Sequence, residues 1–171
     1  MREGRVGLHE NRGAIMVRVM KVSHPAPVGR TLLVVAGALN TLAAALHLAV
    51  IPGGPDWYRF LGAGEGMARM AERGMLYPTL VTLFITGVLM TWALFAWSGA
   101  GVVRRLPLLR TVLVAVTTVY LVRGIGPLLW SVMQPASATP FWLWSSAIVL
   151  IFGAVHAAGT WLSWDALAPA G

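Results

Sequence analysis

The chain has 171 residues, of which 57% are hydrophobic and 11% are charged. Soluble domains carry about 25% charged residues, so this composition excludes an ordinary water-facing globular domain. The formal charge is +7, and in so apolar a chain we expect the basic excess to orient the protein in a membrane and not to bind nucleic acid. The chain has no cysteine, which excludes disulfides, thiolate catalysis and cysteine-ligated metal sites.

Four segments have the roughly 20 mostly apolar residues that a membrane-spanning helix needs. The first is expected to stop at Pro52-Gly53-Gly54-Pro55, because proline and glycine end helices. The sequence therefore predicts an all-α fold, a membrane-embedded bundle of four transmembrane helices with a short extracytoplasmic amphipathic helix. The predicted spans cover about residues 31–51, 76–97, 106–130 and 141–161.

The distribution of Lys and Arg predicts the orientation of the chain. Nine basic residues lie in the segment before the first span or near the connection between the second and third, and four lie towards the other side. Because basic residues are enriched on the cytoplasmic side, we expect both termini in the cytoplasm of a bacterial cell. Residues 1–29 are predicted to be a mobile basic tail, residues 30–164 the membrane domain, and residues 165–171 a short C-terminal tail.

The connection between the first two spans contains the predicted amphipathic helix, from about Gly64 to Arg73. Its charged residues Glu65, Arg69 and Glu72 are spaced four and three apart, which favours ion pairs on a helix. One interpretation is a short helix on the mouth of the bundle with solvated ion pairs. The other is that one carboxylate turns inward and serves a site.

Arg123 is a charged residue inside the third predicted span. At 1.5 Å per residue it lies about 25 Å from the inner boundary, and His47 in the first span lies at about 24 Å. A charge within hydrocarbon costs several kcal/mol unless it finds a partner or reaches the headgroups. We therefore expect Arg123 to pair with Glu65 or Glu72 close to His47. The alternative is that Arg123 reaches the headgroups because the helix ends soon after it.

Asn40 and His47 are seven residues apart, so they share one face of the first span, with small residues between them. Such a face is typical of a helix contact inside a bundle. His156 is predicted near the opposite boundary from His47, so these two residues cannot bind the same metal ion or haem. The sequence thus predicts no metal site and no cofactor.

The run from Leu61 to Gly74 (LGAGEGMARMAERG), with Tyr77 and Pro78 after it, resembles small four-helix inner-membrane proteins of bacteria. The size and architecture are similar to those of DoxX-like proteins. The resemblance implies a location in the inner membrane and no particular activity.

The leading functional hypothesis is a non-enzymatic membrane protein that packs against membrane partners or binds an apolar, lipid-like ligand. The expected partners are the bilayer and another membrane protein or a second copy of the chain, without nucleic acid. The alternative is a membrane-embedded enzyme or a transporter. Its candidate polar cluster contains His47, Glu65, Glu72 and Arg123, with Asn40 on the same helix face as His47.

Overall fold

The computed structural model describes residues 26–137 and 139–168. This part of the chain contains five α-helices, one short 3-10 helix (Pro135–Ser137) and no strand, which confirms the all-α prediction. The first 25 residues of the predicted basic tail and residues 169–171 lie outside the described residues. The α-helices are α1 (Pro27–Phe60), α2 (Glu65–Glu72), α3 (Tyr77–Gly99), α4 (Leu109–Met133) and α5 (Pro140–Leu162).

Four of these helices, α1, α3, α4 and α5, are long and apolar enough to cross a membrane. They correspond to the four predicted spans, with ends that differ by one to nine residues. Helix α1 begins earlier than expected, at Pro27, because proline at the first turn loses no helical hydrogen bond and already has a helical φ angle.

The largest correction concerns the end of α1, which does not stop at the proline and glycine run. Gly54 has φ 68° and ψ −159°, so the helix kinks there and resumes for a further six residues. Glycine is needed at this point because that backbone conformation is closed to other residues. The segment after the kink carries Tyr58, whose buried hydroxyl lies 3.3 Å from the hydroxyl of Thr82 on α3. The kink therefore places Tyr58 where it joins the last turns of α1 to α3.

The predicted amphipathic helix is present as α2, with Gly64 before it and Arg73 as its C-cap. Ala68 is its fully buried residue, and it packs with Val50 and Tyr58 of α1. The packing of this small apolar side against α1 stabilises an eight-residue helix, which would be only marginally stable in isolation.

The long helices alternate in direction, so the bundle has two ends. We call the end that carries α2 the α2 end, and the opposite end, where α1 begins and α5 finishes, the arginine end. Helix α1 packs mainly on α3 and α5, and α4 packs mainly on α5, whereas α3 and α4 touch only slightly. The helices are thus arranged in the order α3, α1, α5, α4, with a loosely closed seam between the first and the last.

At the arginine end, arginine side chains donate hydrogen bonds to backbone carbonyls that follow α3 and α5. The guanidinium of Arg30 donates to the carbonyl of Ala100 just after α3, at 3.1 Å. Arg110 donates to the carbonyl of Trp164 just after α5, at 3.0 Å, and Arg105 donates to that of Ala166. The C-terminal end of a helix carries partial negative charge, so positively charged side chains placed there are favourable.

Candidate functional site

The seam between α3 and α4 contains a groove of about 260 Å³. It forms because these two helices pack mainly on α1 and α5 and only slightly on each other. Of the described residues that line the groove, Arg123 alone is charged, and Tyr120 contributes its ring. The remaining lining is apolar or aromatic: Phe84, Ile85, Val88, Leu89 and Trp92 of α3, Val119 of α4 and Val149 of α5.

The hydroxyl of Tyr120 points away from the groove into the interior of the bundle. It donates a hydrogen bond to Oδ1 of Asn40 on α1, and Nδ2 of Asn40 lies 2.8 Å from Nε2 of His156 on α5. All three side chains are buried, and Asn40 and His156 are almost completely inaccessible. This buried cluster joins α1, α4 and α5 by side-chain hydrogen bonds.

The hydrogen bonds of the buried cluster fix its protonation pattern. Because the Asn40 amide nitrogen can only donate, Nε2 of His156 accepts, and a neutral ring then carries its proton on Nδ1. Nδ1 has no hydrogen-bond partner within the described residues. The ring of Tyr120 also contacts Trp92 edge-on at 5.1 Å between ring centroids. The cluster is therefore suited to holding helices together and forms one wall of the groove.

A second polar cluster lies at the α2 end and is charged and exposed. Arg59, on the last turn of α1, contacts Glu65 at 2.9 Å, Glu72 at 2.6 Å and Asp56 at 3.2 Å. Glu65 also pairs with Arg69 at 3.0 Å, as the spacing predicts. Arg59 thus ties both ends of α2 to the end of α1.

Hydrogen bonding shifts the pKa values of this charged cluster. Hydrogen bonds from Arg59, and then from Arg69, lower the pKa of Glu65 to about 2. Hydrogen bonds to Glu65 and Glu72 raise the pKa of Arg59 above its ordinary value. Both shifts favour the ionised forms, so the cluster holds its charges and is not poised to exchange protons near neutral pH.

The structure does not bring the predicted cluster of His47, Glu65, Glu72 and Arg123 together. Both glutamates are held by Arg59, which can reach them because α1 continues past Gly54. The expected pairing of Arg123 with a glutamate is therefore wrong, and Arg123 forms no ion pair within the described residues.

His47 and Asn40 also have different surroundings from each other. His47 Nδ1 lies 2.8 Å from the carbonyl of Ala43 one turn earlier in its own helix, so its ring is engaged locally. Asn40 is a helix-contact residue, as the packing interpretation has it, and its partners are Tyr120 and His156. Neither Tyr120 nor His156 is predicted from the sequence as a partner of Asn40.

The part of the chain that the structure describes has no group of three His, Cys, Asp or Glu side chains that could hold a metal ion. Helix α4 also runs unbroken through Gly124 and Pro127 to Met133, so Arg123 does not stand at a helix end.

No family model matches the chain, and no curated protein or solved structure matches it either. The geometry of the described residues is therefore what supports a function.

Proposed function

We propose that the chain is a small multi-pass protein of the bacterial inner membrane, with both termini in the cytoplasm, that binds a lipid acyl chain in the groove between α3 and α4 without transforming it. The observation that carries this proposal is the groove itself, an apolar cleft along the seam of two helices that are each long enough to cross a membrane.

The size and position of the groove favour part of a lipid over a whole soluble ligand. Pockets that enclose drug-sized molecules measure about 300–1,000 Å³, and this groove is slightly smaller. Its rim is formed by exposed apolar side chains, among them Phe84 and Val119. In a bilayer these side chains contact hydrocarbon, so an acyl chain can enter sideways without crossing a polar surface.

The placement of the reactive groups favours binding over catalysis. Glu65 and Glu72 are ionised partners of Arg59 at the α2 end. His156 is separated from the groove by Tyr120, whose hydroxyl is directed to Asn40. The enzyme hypothesis relied on a carboxylate beside Arg123, and the two candidate glutamates are held elsewhere.

The orientation is supported by the four described arginines near the arginine end, Arg30, Arg104, Arg105 and Arg110, together with the basic residues that precede them in the sequence. Under the positive-inside rule, this end faces the cytoplasm. The α2 end, with α2 and its ion pairs, then faces the periplasm.

A variant in which a side chain fills the groove tests the proposed lipid binding. Val88→Trp places a large ring in the groove, whereas Val122→Trp adds the same ring to the exposed outer side of α4. The probe is a phospholipid with a photoactivatable diazirine in its acyl chain, reconstituted with the purified protein. We expect labelling to concentrate on the groove, to fall by about tenfold in Val88→Trp because the ring occupies the site, and to persist in Val122→Trp. Equal labelling of all three proteins would refute the groove as a binding site.

A further inference from the structure

Arg123 is the one charged side chain among the described residues that line the groove, and it lies within the long helix α4. The helix continues for ten residues beyond it, so Arg123 lies about 15 Å from the α2 end of its helix. Its side chain is exposed, outside the packed interior. A cation at such depth is costly unless it is paired or hydrated, and such residues mark functional positions in membrane proteins.

Five other described arginines use their donors within the protein, whereas Arg73 and Arg104 form no such contact with the described residues and lie outside the four long helices. At the α2 end, Arg59 and Arg69 are neutralised by carboxylates. At the arginine end, Arg30, Arg105 and Arg110 donate to backbone carbonyls. Arg123 has neither kind of contact within the described residues; its apolar stem lines the groove and its side chain is exposed.

The guanidinium of Arg123 is a cation, so its position in a long apolar helix is costly unless an anion or water compensates the charge. It presents planar pairs of N–H donors that match the oxygens of a phosphate group. Tyr120 offers the groove no competing polar group, because its hydroxyl is engaged with Asn40. The complementary ligand is therefore an anion attached to an apolar chain.

The depths of the groove residues give that ligand a direction. Phe84 and Arg123 lie about 11 and 15 Å from the α2 ends of their helices, whereas Trp92 lies about 23 Å from the same end. Phe84 and Arg123 thus lie nearer the α2 end, and Trp92 lies deeper. A phospholipid of the leaflet at the α2 end places its headgroup on the side of Arg123 and its acyl chain towards Trp92.

We infer that Arg123 makes the groove selective for anionic phospholipids, by pairing with a headgroup phosphate that no cationic group of the same lipid neutralises, while the acyl chain lies between α3 and α4. This inference rests on the proposed function. It adds the chemical class of the ligand and assigns the headgroup contact to one residue.

The test is competition between lipids with identical acyl chains. The full chain is purified in detergent with equal amounts of phosphatidylglycerol and phosphatidylcholine, and the bound lipids are counted by native mass spectrometry. Both headgroups contain phosphate, but only phosphatidylglycerol carries net negative charge, so we expect about a fivefold preference for it, as for a partly solvated charged hydrogen bond. We expect an excess of inorganic phosphate to leave the bound lipid in place, since a free anion lacks the acyl chain.

The variants separate Arg123 from general surface charge. Arg123→Gln is expected to bind both lipids equally, and Arg123→Lys to keep part of the preference with the charge but without the paired donors. Arg73→Gln removes the same charge from the exposed end of α2 and should keep the full preference. Loss of the preference in Arg73→Gln as well, or a full preference in Arg123→Gln, would overturn the inference.

Two further outcomes distinguish the inference from the function on which it rests. If the wild-type protein binds both lipids equally and Val88→Trp binds neither, the groove holds lipid but Arg123 does not select it, and the inference alone is wrong. If the wild-type protein and Val88→Trp retain the same amount of lipid, the proposed function is wrong and the inference falls with it.

Discussion

Two clusters join helices by polar contacts. One is the buried cluster of Asn40, Tyr120 and His156, and the other is the charged cluster around Arg59. The buried cluster uses uncharged groups, and its members are inaccessible to solvent. The charged cluster uses full charges, and its side chains are between about one-third and nine-tenths exposed. A missing partner in the first leaves an unsatisfied group in an apolar interior, whereas water replaces it in the second.

Asn40→Ala should break the buried cluster, with the largest effect expected here. It removes a donor and an acceptor together and leaves both Nε2 of His156 and the Tyr120 hydroxyl without their partner. We expect the free energy of unfolding to fall by about 2–4 kcal/mol, from unsatisfied groups and the cavity combined. Equilibrium unfolding in mixed dodecylmaltoside and SDS micelles measures this loss.

Thr41→Val is the matched control for Asn40→Ala, because the Thr41 hydroxyl bonds only to the carbonyl of Gly37 in its own helix, at 2.9 Å. We expect a change within about 0.5 kcal/mol. Equal losses for the two variants would show that the buried cluster adds nothing beyond helix packing.

Arg59→Gln should disrupt the charged cluster with a smaller and local effect. Both glutamates of α2 lose their shared partner, so α2 should detach more often from the end of α1. We expect faster hydrogen exchange in residues 65–72 and little change in the unfolding of the four long helices, because exposed ion pairs contribute little to global stability. Arg73→Gln is the control and should leave the exchange unchanged.

A global loss of stability in Arg59→Gln as large as that in Asn40→Ala would contradict this contrast between the two clusters. It would mean that α2 is a cooperative part of the bundle and not an element that opens separately.

Acid should weaken the charged cluster, with the smallest effect of the three. The pKa of Glu65 is lowered from 4.5 to about 2 in the folded protein, so its contribution is complete above about pH 4.5 and is lost as the pH falls towards 2. Fluorescence of a dye on a cysteine placed at the exposed Ala63 reports the loosening of α2. Glu65→Gln should respond much less over this range, and added salt should reduce the wild-type response through screening. An identical acid response in Glu65→Gln would place the titrating group elsewhere.

Hydropathy predicted the four long helices because each needs only a sufficient run of apolar residues, which is visible locally. It did not predict that α1 continues beyond Gly54, because the composition that ends most helices here produces a kink between two helical segments. The error had a consequence for the site. A first span that stops at Pro52-Gly53-Gly54-Pro55 leaves Arg59 in the connection, where the sequence gives it no fixed position relative to Glu65 and Glu72.

The buried cluster was accessible to sequence reasoning only in part. From the predicted boundaries, Asn40 lies about 14 Å and His156 about 7 Å from the inner side, close enough for neighbouring helices to bring them together. The sequence does not show which helices are neighbours, because helix order depends on packing among small residues. Gly159 is an example, since an added Cβ there would lie 3.1 Å from Leu33. The groove has the same origin, since it depends on the slight contact between α3 and α4.

Under the proposed orientation, the arginines at the arginine end have two roles, one during membrane insertion and one in the folded protein. During insertion only their number and side matter, since the translocation machinery responds to positive charge and not to its geometry. After insertion the direction of each N–H group matters, because Arg30 and Arg110 donate to particular carbonyls. Lysine could serve the first purpose but lacks the planar donors for the second. The same side chains thus link the topology set during synthesis to the final closure of the bundle.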